Sequence, residues 1–119
     1  MKIISTKVHG MLDYLVGIVL ILFPWIWGLD PSSPEGMIFI ILGVAALLYS
    51  LLTNYELGAA KVLSMRTHLA LDAASGIILA ASPWLLGFHD SVYVPHLVLG
   101  LFEIAAAALT ETTPRTHRS

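Results

Sequence analysis

His68-Leu-Ala-Leu-Asp72-Ala-Ala-Ser-Gly76-Ile-Ile-Leu-Ala-Ala-Ser82-Pro83-Trp84-Leu-Leu-Gly87-Phe88 decides the fold, because the chain contains its skeleton twice. Moving back 59 positions returns His9, Leu12, Asp13, Gly17, Ile18, Leu20, Pro24, Trp25 and Gly28. Self-similarity at a fixed offset is the mark of a repeat architecture, so the chain is read as two copies of one unit.

The spacing His-x3-Asp-x3-Gly, then Pro-Trp and Gly, resembles the SPW-repeat family of small prokaryotic membrane proteins. Ser82-Pro83-Trp84 carries the naming tripeptide, whereas the first copy has Phe23-Pro24-Trp25, so the serine is not required in every copy. The resemblance implies a membrane location and tandem repeats. It implies no particular activity.

Composition leads to the same location independently. Of the 119 residues, 57% are hydrophobic and 12% charged. That charge is about half the ~25% usual in soluble domains. A chain this small has much of its volume near the surface, so lipid must replace water around much of it. With no cysteine, disulfides, thiolate metal sites and thiol redox chemistry are excluded. The net charge of −2 lacks the basic footprint of a nucleic-acid binder.

Crossing the hydrocarbon core takes about 20 mostly apolar residues. Four windows qualify, at 7–27, 36–53, 62–85 and 94–110, and only helices satisfy their backbone in lipid. The expected fold is all-α: a four-helix transmembrane bundle built from two tandem two-helix repeats in parallel orientation. Repeat one covers 1–58, repeat two 59–112 and a polar tail 113–119, all in one membrane domain. Lys2 and Lys7 ahead of an apolar run suit a signal sequence, but no small-x-small cleavage site follows. The run is read as a retained span.

Turns separate the windows. Pro31 and Pro34 block helix continuation after Gly28, and Pro95 suits the first turn of a helix. Gly28 and Gly87 are read as turn residues with permissive dihedrals. Pro24 and Pro83 fall near the far ends of the odd spans. Spans two and four align only faintly, Leu42-Gly43 against Leu99-Gly100, under an offset of 57.

Lys2, Lys7, Lys61, Arg66, Arg115 and Arg118 all fall on one side of this arrangement. Lys and Arg accumulate on the cytoplasmic side of short loops. Both termini are therefore expected in the cytoplasm, with the protein multi-pass in the cytoplasmic (inner) membrane. Trp25, Trp27 and Trp84 then lie at the outer interface, where aromatic rings prefer to sit.

His9, Asp13 and Gly17 share one helical stripe, as do His68, Asp72 and Gly76. Gly17 and Gly76 let backbones approach closely, so both stripes should face other helices. Glu103 breaks the repeat, its counterpart being Ala46, and is expected to find a donor such as His68 or Tyr49. The intramembrane polar cluster is thus His9, Asp13, His68, Asp72, Glu103 and Tyr49. Three readings compete for it. The His and Asp groups hydrogen-bond between helices and fix the packing; they mark a proton or ion path; or two His and two Asp hold a divalent ion. Hydrogen bonding is the favoured reading, with no metal and no cofactor expected. His89 and His96 are placed at the outer surface in solvated roles.

The resulting expectation is a non-enzymatic scaffold or accessory subunit, since the chain has no thiol, soluble domain or nucleophile–base motif. Its partners are the lipid bilayer and either a second copy of itself or another membrane protein, with no nucleic acid. The alternative is a small proton- or ion-coupled transporter using Glu103, Asp13 and Asp72.

Overall fold

The structure is a computed structural model, and it describes residues 2–113. Four helices run through them: α1 (Thr6–Trp27), α2 (Pro34–Leu51), α3 (Met65–Leu85) and α4 (Val94–Ala108). The chain is an all-helical bundle, and three of its helices are long and apolar enough to cross a membrane. Arg115 and Arg118, with the tail beyond Thr113, lie outside the described residues.

Each helix start is set by local chemistry. The hydroxyls of Ser5, Ser33 and Ser64 accept from the N–H of Val8, Gly36 and Thr67 at 3.2, 3.3 and 3.1 Å. A serine cap satisfies one of the amides that the first turn leaves without a partner. Pro34 and Pro95 sit in the first turns of α2 and α4, where the missing N–H does no harm. In the turn before α2, the Ser32 N–H and hydroxyl both donate to Asp30 Oδ1, at 2.9 and 2.7 Å. Those bonds hold the Asp30 carboxyl below its ordinary range.

The helix bounds differ from the expected windows by one to three residues, α2 running two residues earlier at both ends, and two of the differences share one reason. The third helix begins at Met65 rather than 62, because Leu63 is extended and forms a parallel bridge with Thr53. The fourth ends at Ala108 rather than 110, because Thr110 bridges Ile4 in the same way. Fifteen helical residues span about 22 Å, less than the ~30 Å hydrocarbon core. Hydrophobic pattern locates apolar residues, but it does not register where the backbone turns aside to pair.

These bridges follow the sequence offsets. Asn54 N–H donates to Leu63 O at 2.6 Å, and Glu111 N–H donates to Ile4 O at 2.8 Å. Leu63 N–H reaches Leu52 O at 2.7 Å, and Ile4 N–H reaches Leu109 O at 2.9 Å. The end of α2 thus meets the start of α3 as the end of α4 meets the start of α1.

The far ends of the odd helices match as well. Pro24 O accepts from Leu29 N–H at 2.7 Å, and Pro83 O from Phe88 N–H at 2.8 Å. Gly28 and Gly87 supply the positive φ, 81° and 77°, that this kind of helix ending requires. Proline at 83 leaves Leu79 O without its helical donor. The Ser82 hydroxyl replaces that donor, reaching Leu79 O at 2.7 Å. Trp25, Trp27 and Trp84 are exposed at this same end.

Helix α1 packs chiefly on α2, and α3 chiefly on α4. Both hairpins cross glycine on glycine. A Cβ on Gly43 would lie 2.7 Å from Gly17 O, and one on Gly100 would lie 2.5 Å from Gly76 O. Small residues at these points allow close backbone contact, which drives helix association where lipid provides no hydrophobic force. Leu20, Phe39, Leu42 and Leu79 form one core cluster; Tyr55, Met65, Leu69 and Ala107 form another. Large apolar side chains such as Leu15, Ile18, Leu48 and Ile77 face outward.

Candidate functional site

The two His–Asp stripes face each other across the bundle, and their pairing crosses from one half to the other. His9 Nε2 meets Asp72 Oδ2 at 2.6 Å and its own-helix Asp13 Oδ2 at 3.1 Å. His68 Nε2 meets Asp13 Oδ2 in the tighter contact and its own-helix Asp72 Oδ2 at 3.2 Å. Each imidazole thus binds the carboxylate of the other helix more closely than that of its own. The two rings stand edge to face, with centroids 5.5 Å apart and planes at 80°.

A second layer of groups fixes both rings. Thr110 Oγ1 lies 2.7 Å from His9 Nδ1, and Thr53 Oγ1 lies 2.8 Å from His68 Nδ1. Each threonine hydroxyl donates its proton to the carbonyl four residues earlier, Ala106 O and Tyr49 O, both at 2.6 Å. A hydroxyl has one proton to give, so each threonine must accept from the histidine, and Nδ1 carries hydrogen in both rings. Nε2 is then the atom turned toward the carboxylates. Tyr49 donates its hydroxyl to Asp72 Oδ1, the oxygen that faces away from the imidazoles.

The cluster is buried except at Asp13. His9 and His68 are fully buried, and Asp72 is 3% exposed. The Asp13 side chain, at 13%, is the most accessible of the four.

Glu103 stands apart from this arrangement. It packs against Gly76, and neither expected donor reaches it: Tyr49 serves Asp72, and His68 serves Asp13. Among the described residues, Glu103 Oε1 and Ser75 Oγ are both buried without a hydrogen-bond partner. His96 corrects a further expectation. It is fully buried rather than solvated, and its Nε2 donates to Glu35 O at 2.8 Å. Phe39 and Phe88 pack on its ring with centroids 4.3 and 4.8 Å away. That contact ties the start of α4 to the start of α2. His89, in the turn after α3, is partly exposed and lies 3.3 Å from Asp90.

Thr53 and Thr110, the partners of the histidines, are not among the polar residues expected from sequence. They were legible, because the 57-residue offset that aligns Gly43 with Gly100 also aligns Leu52-Thr53 with Leu109-Thr110. Tyr55, the largest fully buried side chain, lies in the connection between α2 and α3. A Cβ on Gly10 would strike its ring, so α1 and that connection are in direct contact. No pattern of spacing announces it.

A family model described as the SPW repeat domain matches residues 7–110, nearly the whole helical part of the chain. No curated protein and no solved structure matches it. The matched stretch takes in both His–Asp stripes and the threonines that hold them, and the chain belongs to the SPW repeat family.

Proposed function

We propose that this protein is a non-enzymatic scaffold or accessory subunit of the cytoplasmic (inner) membrane. The observation that carries the reading is the crossed pairing of His9 with Asp72 and His68 with Asp13. Polar groups spent on each other, and backed by Thr53, Thr110 and Tyr49, clasp the two halves. The outward-facing apolar side chains of α1 to α4 leave a broad surface for lipid, a second copy or another membrane protein.

Both termini lie in the cytoplasm in this reading. Lys2, Lys7, Lys61 and Arg66 gather at the end where α1 and α3 begin, and the tryptophans gather at the other. That distribution follows the positive-inside rule and the aromatic belt. A reporter fused to the C-terminus should register as cytoplasmic, and one inserted after Ser32 as external. An external C-terminus would reverse the orientation.

One observation favours a second reading, a small proton-coupled carrier: the buried Glu103 carboxyl, whose Oε1 has no hydrogen-bond partner among the described residues. Ionisable groups within spans commonly mark ion routes. The discriminating measurement is proton flux into vesicles that contain the purified protein and a pH-sensitive dye. Under an imposed gradient the scaffold passes protons no faster than protein-free vesicles. Glu103→Gln, which replaces the carboxyl with an amide of the same size that cannot titrate, should leave both that rate and the melting temperature unchanged. Flux present in the native protein and absent from Glu103→Gln would replace the scaffold with the carrier.

A further inference from the structure

We infer that His9, Asp13, His68 and Asp72 form a binding site for one divalent transition-metal ion, held between the two halves of the bundle. The inference rests on the clasp described above for its location and departs from the sequence expectation of no metal: with the ion bound, bonds to it replace the four direct contacts.

The four donor atoms are His9 Nε2, Asp13 Oδ2, His68 Nε2 and Asp72 Oδ2, and all lie within 4.8 Å of one another. Nitrogen and oxygen alternate around them. Three of the adjacent separations are 2.6, 3.1 and 3.2 Å, and the fourth, His68 to Asp13, is shorter. Two independent ion pairs would need only two of these contacts. Here each imidazole nitrogen touches both carboxylates, and each carboxylate oxygen touches both imidazoles. An N–H directs its proton at one acceptor, whereas an ion at the centre attracts all four donors at once.

The outer groups prepare that centre. Thr110 and Thr53, with their protons committed to Ala106 O and Tyr49 O, keep hydrogen on Nδ1 of both rings. A neutral imidazole held so presents its Nε2 lone pair inward, which is how outer partners orient metal-binding histidines. Tyr49 occupies Asp72 Oδ1 and leaves Oδ2 for the centre. Two neutral imidazoles and two carboxylates then turn four lone pairs toward one point, with two negative charges to balance.

A divalent ion balances them and leaves the site neutral, which matters where charge within a span is costly. Bonds of about 2.0–2.2 Å to nitrogen and oxygen set tetrahedral edges near 3.4 Å. The two own-helix contacts need to open by a few tenths of an ångström, and the two contacts between α1 and α3 by close to one. Two imidazoles suit zinc and its first-row neighbours, whereas calcium and magnesium take oxygen sets with more ligands. Asp13, the most accessible of the four, marks the side from which an ion enters.

The test uses the full chain in mild detergent, stripped with chelator and then equilibrated with zinc chloride and dialysed. Metal content by mass spectrometry should be about one zinc per chain, and zinc should raise the melting temperature. The double variant His9→Ala/His68→Ala should hold none. Thr110→Val and Thr53→Val keep all four ligands and should each weaken zinc binding 10–100-fold; they carry the test if the double variant does not fold. A wild-type protein with less than a tenth of a zinc per chain would overturn the site. So would stoichiometric zinc in the double variant, or unchanged affinity in both threonine variants. A zinc-free protein in which His68 and Asp13 remain coupled in stability would remove the ion and leave the clasp. Bound zinc without that coupling would do the reverse.

Discussion

His68→Ala should destabilise the metal-free protein by about 3–5 kcal/mol, the range found when one member of a buried ion pair is removed. The ring is fully buried, and its loss leaves Asp13 and Asp72 sharing the single imidazole of His9. An uncompensated carboxylate in lipid is the expensive product, rather than the lost contact itself. Adding Asp13→Ala to His68→Ala should therefore cost much less than it costs alone. Groups in one network show coupling energies of about 0.5–3 kcal/mol. Denaturant titration of the four proteins in detergent with chelator present, followed by helical circular dichroism, gives the cycle. A His68→Ala protein within 1 kcal/mol of wild type, or additive single costs, would remove the clasp and with it the proposed role of the quartet.

The reason the quartet could be read from sequence, at least as a cluster, is that it sits on helices. Spacing of four puts His9 and Asp13 on one stripe, and His68 and Asp72 on another. The costliness of polar groups in lipid then says the stripes face inward. What spacing cannot give is the pairing. Whether His9 takes Asp13 or Asp72 depends on how the two halves are set against each other, and the shorter contact is to Asp72. Glu103 shows the same limit from the other side. Its place in the fourth apolar window is legible, yet the donors expected for it, Tyr49 and His68, are consumed by the quartet. The sequence expectation for His96 is the outer surface, whereas the ring is fully buried. Phe39, its counterpart under the 57-residue offset, packs against it and closes that end of the bundle.

The even helices illustrate a second kind of loss. Under the 57-residue offset they share little beyond Leu-Gly and Leu-Thr, so hydropathy alone gave them their windows. Those few shared residues carry the structural constraints: glycine where backbones touch, and threonine where the ring nitrogen needs an acceptor. Between them, lipid-facing positions tolerate any apolar side chain, and sequence identity decays without changing the fold.

Gly100→Val should be at least as damaging as overpacking in a soluble core, about 1–3 kcal/mol or more, and worse than the equivalent Gly43→Val. At position 100 a Cβ would lie 2.5 Å from Gly76 O and 2.6 Å from Ala80 N, and both are backbone atoms that no rotamer change can move. At position 43 it would lie 2.7 Å from Gly17 O, with the next contact, at 2.9 Å, on the flexible Ile21 side chain. Either change forces its hairpin apart at the crossing, and through α3 the first also shifts Asp72 and His68, which lie one and two turns from Gly76. Gly28→Ala provides the contrast. Nothing lies within 4 Å of a Cβ there, so only the φ of 81° resists the change, at a cost of about 1–2 kcal/mol. Melting temperatures of the three variants in one detergent should fall in the order Gly28→Ala, Gly43→Val, Gly100→Val, highest first. A Gly100→Val protein that melts with wild type would mean that the two helices of the second hairpin do not touch at Gly76 and Gly100.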